Sequence, residues 1–216
     1  MDLLNYMQRH QQEILTLTLQ HLGLAFLAVA ISTVIGVACG VLLSRVRLLA
    51  GPVIGIAGIF YTIPSLALFG FLIPMMGIGV RPALLALILY AQLVLIRNTY
   101  VGILEVDSAS LEAGRGMGMR GWQLLLFIEL PLSLPVVMAG IRTTAVMSIG
   151  IAAIASYIGA GGLGTLIFQG ISRVDSVLIL AGAIPVSLLA IATDAALAGV
   201  ERALRPWAAG RRSAPS

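Results

Sequence analysis

LEAGRGMGMRGWQLLLFIELPLSLP, residues 111–135, decides how this chain is read. Charged residues make up 10% of the 216, yet Glu112, Arg115, Arg120 and Glu129 gather inside this one stretch, just after Glu105 and Asp107. Around it the chain is apolar. Hydrophobic residues reach 59%, above the roughly 45–50% apolar share of a soluble domain, so the sequence reads as an all-α polytopic integral membrane protein. A membrane-crossing helix takes about 20 mostly apolar residues, and five stretches supply them, roughly 20–43, 52–75, 82–104, 134–157 and 177–200. They form one transmembrane domain over 1–216, and the charged stretch lies in the connection 105–133 between the third and fourth spans.

The formal charge is +4 and all 13 basic residues are Arg. They flank the spans instead of forming a basic face, which argues against a nucleic-acid partner and makes them a topology signal. Arg45 and Arg47 follow the first span, Arg97, Arg115 and Arg120 surround the charged stretch, and Arg202, Arg205, Arg211 and Arg212 follow the fifth. The positive-inside rule places these regions in the cytoplasm. Arg9, Arg81 and Arg173 remain for the other side, so the N-terminus is expected outside and the C-terminus inside. The opening MDLLNYMQRHQQEIL lacks the charged, apolar, small-residue order of a cleaved signal. Cys39 is the single cysteine; within a span it reads as a packing residue.

Inside the spans, GVACG (Gly36, Gly40) and GPVIG (Gly51, Gly55) have the four-residue spacing that lets helices approach closely in lipid. Pro64 removes a backbone donor from the second span, and the neighbouring Thr62 and Ser65 are placed to satisfy freed carbonyls, so a kinked span is expected. GAGGLG, residues 159–164, matches G-x-G-x-x-G, but it follows a membrane span instead of a soluble strand; a turn or short re-entrant segment is expected, followed by a short outer helix in TLIFQGI. Arg142 and Asp194 fall near the cytoplasmic ends of their spans, where mutual pairing or snorkelling is the simplest expectation and a role in transport the alternative.

In the charged stretch, DSASLEAGRGMG carries small residues and Glu at helical spacing before glycines that end a turn. MRGWQLLLFIEL then sets Trp122, Leu125, Leu126 and Glu129 three or four apart, an amphipathic helix expected to stop at Pro131. Two short helices joined at Gly116–Gly118 suit docking of a cytoplasmic protein.

These residues carry a resemblance. Glu112, Ala113 and Gly114, followed by Gly118 and then Ile128, Leu130 and Pro131, are similar in register to the cytoplasmic signature of bacterial ABC importer permeases, Glu-Ala-Ala, three residues, Gly, nine residues, Ile, one residue, Leu-Pro. Gly114 stands where the signature has a second Ala. YTIPSLALFGFLIPMMGIG, RNTYVGI and SYIGAGGLGTLIFQGI resemble the osmoprotectant branch, importers of glycine betaine, choline and carnitine. The resemblance implies the type I importer permease fold with cytoplasmic coupling helices, in the bacterial inner membrane. It also implies a second permease subunit, identical or similar, an ATPase dimer docked on the seven signature residues, and an external solute-binding protein.

The sequence contains no Lys, so it cannot supply the lysine of a phosphate-binding G-x-x-x-x-G-K-[ST] loop. No cofactor is expected in this chain, which is read as a transport subunit and not an enzyme; ATP and Mg belong to the partner ATPase. Tyr61, Thr62, Ser65, Asn98, Ser148, Ser156 and Tyr157 are the candidate pathway residues, the tyrosines because an aromatic face attracts a quaternary ammonium. Competing readings are an importer permease for another small solute such as an amino acid, a self-sufficient secondary transporter, and a membrane anchor subunit. A secondary transporter would favour mid-membrane ionisable couples and an inverted repeat, which five spans do not divide into.

Overall fold

The computed structural model describes residues 3–204; Arg205, Arg211 and Arg212, counted above as cytoplasmic, lie outside the described residues. The described chain is helical: α1 (Leu3–Arg9), α2 (Gln11–Arg45), α3 (Ala50–Thr62), α4 (Ser65–Met76), α5 (Val80–Leu104), α6 (Ser108–Gly116), α7 (Gly121–Leu124), α8 (Leu130–Ala155), α9 (Gly164–Arg173) and α10 (Ser176–Leu204). Four helices are long and apolar enough to cross a membrane, and α3 with α4 make a fifth crossing if that bent pair is one span.

In lipid no hydrophobic force drives one apolar helix onto another, so close packing must hold them. Glycines provide it where α2, α5 and α8 meet. Gly36 and Gly40 of α2 lie against Leu95 and Thr99 of α5, Gly102 of α5 against Val136 of α8, and Gly140 of α8 against Asn98. A Cβ at Gly51 or Gly55, which share the same spacing, would meet nothing within 4 Å among the described residues.

The second span is broken where a kink was expected: α3 and α4 meet at 97°. A residue before proline is pushed out of the helical region, and Ile63 is extended, with φ −65° and ψ 127°. Its carbonyl accepts the Tyr90 hydroxyl at 2.7 Å, while the Thr62 hydroxyl bonds the Ile59 carbonyl at 2.8 Å. With those acceptors satisfied, a sharp break is tolerated inside an apolar bundle.

Pro131 does not end the amphipathic helix. Gly121–Ile158 runs as a single 38-residue helix, widened into a π-turn at Leu125–Glu129 with Leu130 N–H bonded to the Leu125 carbonyl. Proline normally collides with the carbonyl four residues back; the wider turn gives that ring room, and Pro131 sits in the first turn of α8. At the opposite end of α8, Gly159, Gly161 and Gly162 all have positive φ. Gly162 N–H donates to Gln20 Oε1 at 3.2 Å and Gly79 N–H to the Ile158 carbonyl at 2.8 Å, which pin this turn to α2 and to the α4–α5 loop. Amphipathic α9 follows, as TLIFQGI suggested, and packs back on α10 through Gly170 and Gly182.

Candidate functional site

The signature residues form one continuous element. Asp107 caps α6, its carboxylate accepting from Ser110 N–H at 3.1 Å. At the other end Met119 N–H bonds the Gly114 carbonyl at 3.1 Å and Gly118 N–H the Arg115 carbonyl at 2.9 Å. That closure needs a left-handed residue, and Gly118 supplies it at φ 79°. Arg120 N–H then donates to Gln123 Oε1 at 2.7 Å and opens the second helix.

Helix α6 has two faces. Glu112, Ala113 and Arg115 are exposed; Gly114 is buried against Ile128 and Leu124. A methyl group at position 114 would lie 2.5 Å from Ile128 Cδ1 and 2.7 Å from Leu124 Cδ2. The missing Ala of the signature therefore corresponds to a closer seating of α6 on the π-turn. Beside α6 opens a groove of about 530 Å³ lined by Ala113, Met117, Met119 and Ile128, with Asp107 and Ser110 at its rim. Met117, Trp122, Leu126 and Phe127 are all exposed nearby. Leu130 and Pro131 line a second, apolar groove of about 460 Å³ with Val37, Leu134, Val137 and Leu204. The whole element is exposed, partly apolar and partly charged, and fixed to a membrane-length helix.

The seven pathway candidates fall at separate places. Tyr61 and Thr62 are exposed at the end of α3 and Ser65 begins α4, which puts these three at the 97° break. Asn98 donates to the Val94 carbonyl at 2.8 Å and packs on Gly140. Ser148 is buried in α8. The Ser156 hydroxyl bonds the Gly161 carbonyl at 2.5 Å. Tyr157, 66% exposed, tilts against Phe168 with ring centroids 5.1 Å apart.

Three polar arrangements escaped the sequence reading or were resolved by the fold. Arg45 and the buried Glu129 form a two-pronged ion pair, with Arg45 Nη1 donating to Glu129 Oε1 at 3.1 Å and Nη2 to Oε2. Arg142 clasps Asp194 in a fork, Nε to Oδ1 at 2.6 Å and Nη2 to Oδ2 at 2.7 Å, and also reaches Glu201 Oε2 at 3.3 Å. Mutual pairing therefore accounts for both intramembrane charges. His21 is fully buried, with its Nε2 bonded to the Ile149 carbonyl at 3.0 Å. No motif could reveal that contact, because its partner is a backbone atom 128 residues away.

Comparison with known proteins matches residues 16–206 to the family described as the binding-protein-dependent transport system inner membrane component. The carnitine transport permease protein OpuCB of Listeria monocytogenes is 45% identical over 95% of this chain and 94% of its own length. The osmoprotectant import permease protein OsmW of Salmonella typhimurium is 46% identical over 95% of this chain and 98% of its own. The glycine betaine/carnitine/choline transport system permease protein OpuCB of Bacillus subtilis is 43% identical over 95% and 94%. Among solved structures, an inward-facing form of the MetNI methionine ABC transporter superposes with a TM-score of 0.80 at 25% identity, covering 88% of this chain and 95% of that one. An amino acid ABC transporter crystallised with histidines shares the fold, with a TM-score of 0.76 at 19% identity over 94% and 99%.

Proposed function

The chain belongs to the family of binding-protein-dependent transport system inner membrane components, and on that premise we propose that it carries quaternary ammonium osmoprotectants, glycine betaine, carnitine or choline, through the bacterial inner membrane. It is a multi-pass permease subunit and not an enzyme. Two copies, or this chain and a similar one, enclose the path. A cytoplasmic ATPase dimer holding ATP and Mg docks on α6 of each, and an external binding protein delivers the solute at the opposite end. The observation that carries the reading is the α6 element: Glu112 and Ala113 face outward, Gly118 turns the chain, and Gly114 seats α6 on the 38-residue helix. Motor closure moves α6, and the spans rock as rigid bodies between outward- and inward-open arrangements.

The solute assignment rests on the transport activities for which relatives at 43–46% identity are named. Two exposed tyrosines support it, Tyr61 at the break and Tyr157 beside Phe168, since an aromatic face attracts a quaternary ammonium by about 0.5–2 kcal/mol. So weak an attraction permits release. Uptake of labelled glycine betaine, carnitine, choline, methionine and histidine, each measured separately, into cells lacking other osmoprotectant importers tests the assignment. Salt-stimulated uptake of at least one quaternary ammonium solute is expected, and ATP-driven uptake of the amino acids alone would replace it with the amino-acid reading.

A further inference from the structure

The docking element is joined to α8 by the chain itself, but α2 and α3 reach it by a different route. Glu129 is the last residue of the π-turn on which α6 rests, directly after Ile128, the side chain that meets Gly114. Its carboxylate is held by both terminal nitrogens of Arg45. Arg45 is the last residue of α2; a short 3₁₀ turn, Arg47–Leu49, then leads into α3. The pair therefore spans 84 residues of sequence to tie the seat of α6 to the corner between two other helices.

Two features make this tie mechanical and not merely an exposed ion pair. The Glu129 side chain is only 8% exposed, although Arg45 is 44% exposed, so the carboxylate end of the pair is shielded from water, and the fork fixes direction as well as distance. Beyond the corner, α2 is locked to α5 by the Gly36 and Gly40 contacts, and α3 leads to the broken Ile63–Pro64 joint. A displacement of the π-turn is delivered at Arg45 to α2 and α5 together and to the near arm of the break. A tilted surface turn held only by apolar contacts could slide instead.

We propose that Arg45 is a positioning residue for energy coupling, its ion pair with Glu129 conveying motor-driven movement of the docking element to the α2–α3 corner. The inference rests on the permease reading above. The test uses the complete complex of permease, ATPase and binding protein in proteoliposomes, with whichever of labelled glycine betaine, carnitine or choline the wild-type complex moves. Solute moved and ATP hydrolysed are measured together. Arg45→Gln should retain the ATPase through purification and continue to hydrolyse ATP, while solute moved per ATP falls at least about five-fold, the low end of measured couplings between sites. Because Arg45→Gln leaves Glu129 without its partner and could fail to fold, a second variant, Arg45→Met with Glu129→Leu, removes both charges; apolar replacement of both members of a buried pair is commonly tolerated. That variant should be abundant and uncoupled. An unchanged ratio of solute to ATP in the double variant overturns the proposal, and so does a parallel fall of both quantities in Arg45→Gln, which marks a structural role alone. A wild-type complex that moves no quaternary ammonium solute refutes the substrate reading instead, and the ratio is then measured with the solute it does move.

Discussion

Two four-residue glycine pairs with the same sequence signature should respond oppositely to the same mutation. In Gly40→Ala the new methyl would lie 2.6 Å from Thr99 Cβ, 2.9 Å from Thr99 Cγ2 and 3.0 Å from the Ile96 carbonyl oxygen; in Gly36→Ala it would lie 2.5 Å from Leu95 Cβ. These neighbours are side-chain stems and backbone, not mobile tips, so relief comes only by moving α2 away from α5. Carbon atoms prefer about 3.5–4.0 Å, so the helices must separate by about 1 Å, and much of the dispersion along the seam is lost. Overpacking costs about 1–3 kcal/mol, against a gain of about 1 kcal/mol from replacing Gly by Ala in a helix. Each single variant should be neutral to about 2 kcal/mol less stable. One separation relieves both clashes, so the double variant should be no less stable than the worse single, a departure from additivity expected of coupled neighbours. Gly51→Ala and Gly55→Ala meet no atom within 4 Å among the described residues and should each stabilise the isolated chain by up to about 1 kcal/mol. Thermal unfolding of the purified single chain in detergent measures all five. Stabilisation by Gly40→Ala together with destabilisation by Gly51→Ala would refute the packing argument, and an additive double would refute the shared displacement.

Glu112→Lys and Gly118→Asp should leave membrane abundance near wild type, since neither residue lies in a span; Gly118→Asp costs about 1–2 kcal/mol for its positive φ. Uptake and ATPase co-purification should both be lost, whereas near-normal values for both variants would reduce α6 to a linker. For orientation, single cysteines at 9, 120 and 173 in a chain with Cys39 replaced should label from outside, inside and outside respectively, and labelling of 120 from outside alone would invert the proposed topology.

How far the sequence could be read depended on the range of the interactions. The α6 element was legible because its determinants are local: the Asp107 cap, the Gly118 turn and the spacing from Glu112 to Pro131 are settled within 25 residues of one another. The turn at Gly159–Gly164 was legible as a turn, but its pinning to Gln20 was not, because that bond joins residues 142 apart. Arg45–Glu129 was hidden for the same reason, since the two residues lie 84 apart in sequence. Of the two proline expectations, the kink at Pro64 is present, sharper than expected, while the stop at Pro131 is not. Pro64 and Pro131 announce a lost donor and a steric conflict, while the outcome, a 97° break at one and a π-turn at the other, is decided by surrounding groups such as the Tyr90 hydroxyl. The pathway candidates were chosen by residue type, and residue type does not separate an inward-bonded Ser156 from an outward-facing Tyr157.

The π-turn also sets an azimuth. A turn of this kind holds one residue beyond the α-helical count, and each residue advances a helix by about 100°. The segment carrying Trp122 and Gln123 is therefore rotated by about that angle about the axis of α8, relative to where an uninterrupted helix would have carried it. The two ends of the 38-residue helix are in this sense indexed separately: one by the membrane neighbours of α8, the other by the direction in which α6 must point. Loss of a single residue from 125–127 would barely change hydropathy and would leave Glu112 to Gly118 and Ile128 to Pro131 each intact, yet it would shorten the spacing between them by one and swing the docking element by about 100° around the axis of α8.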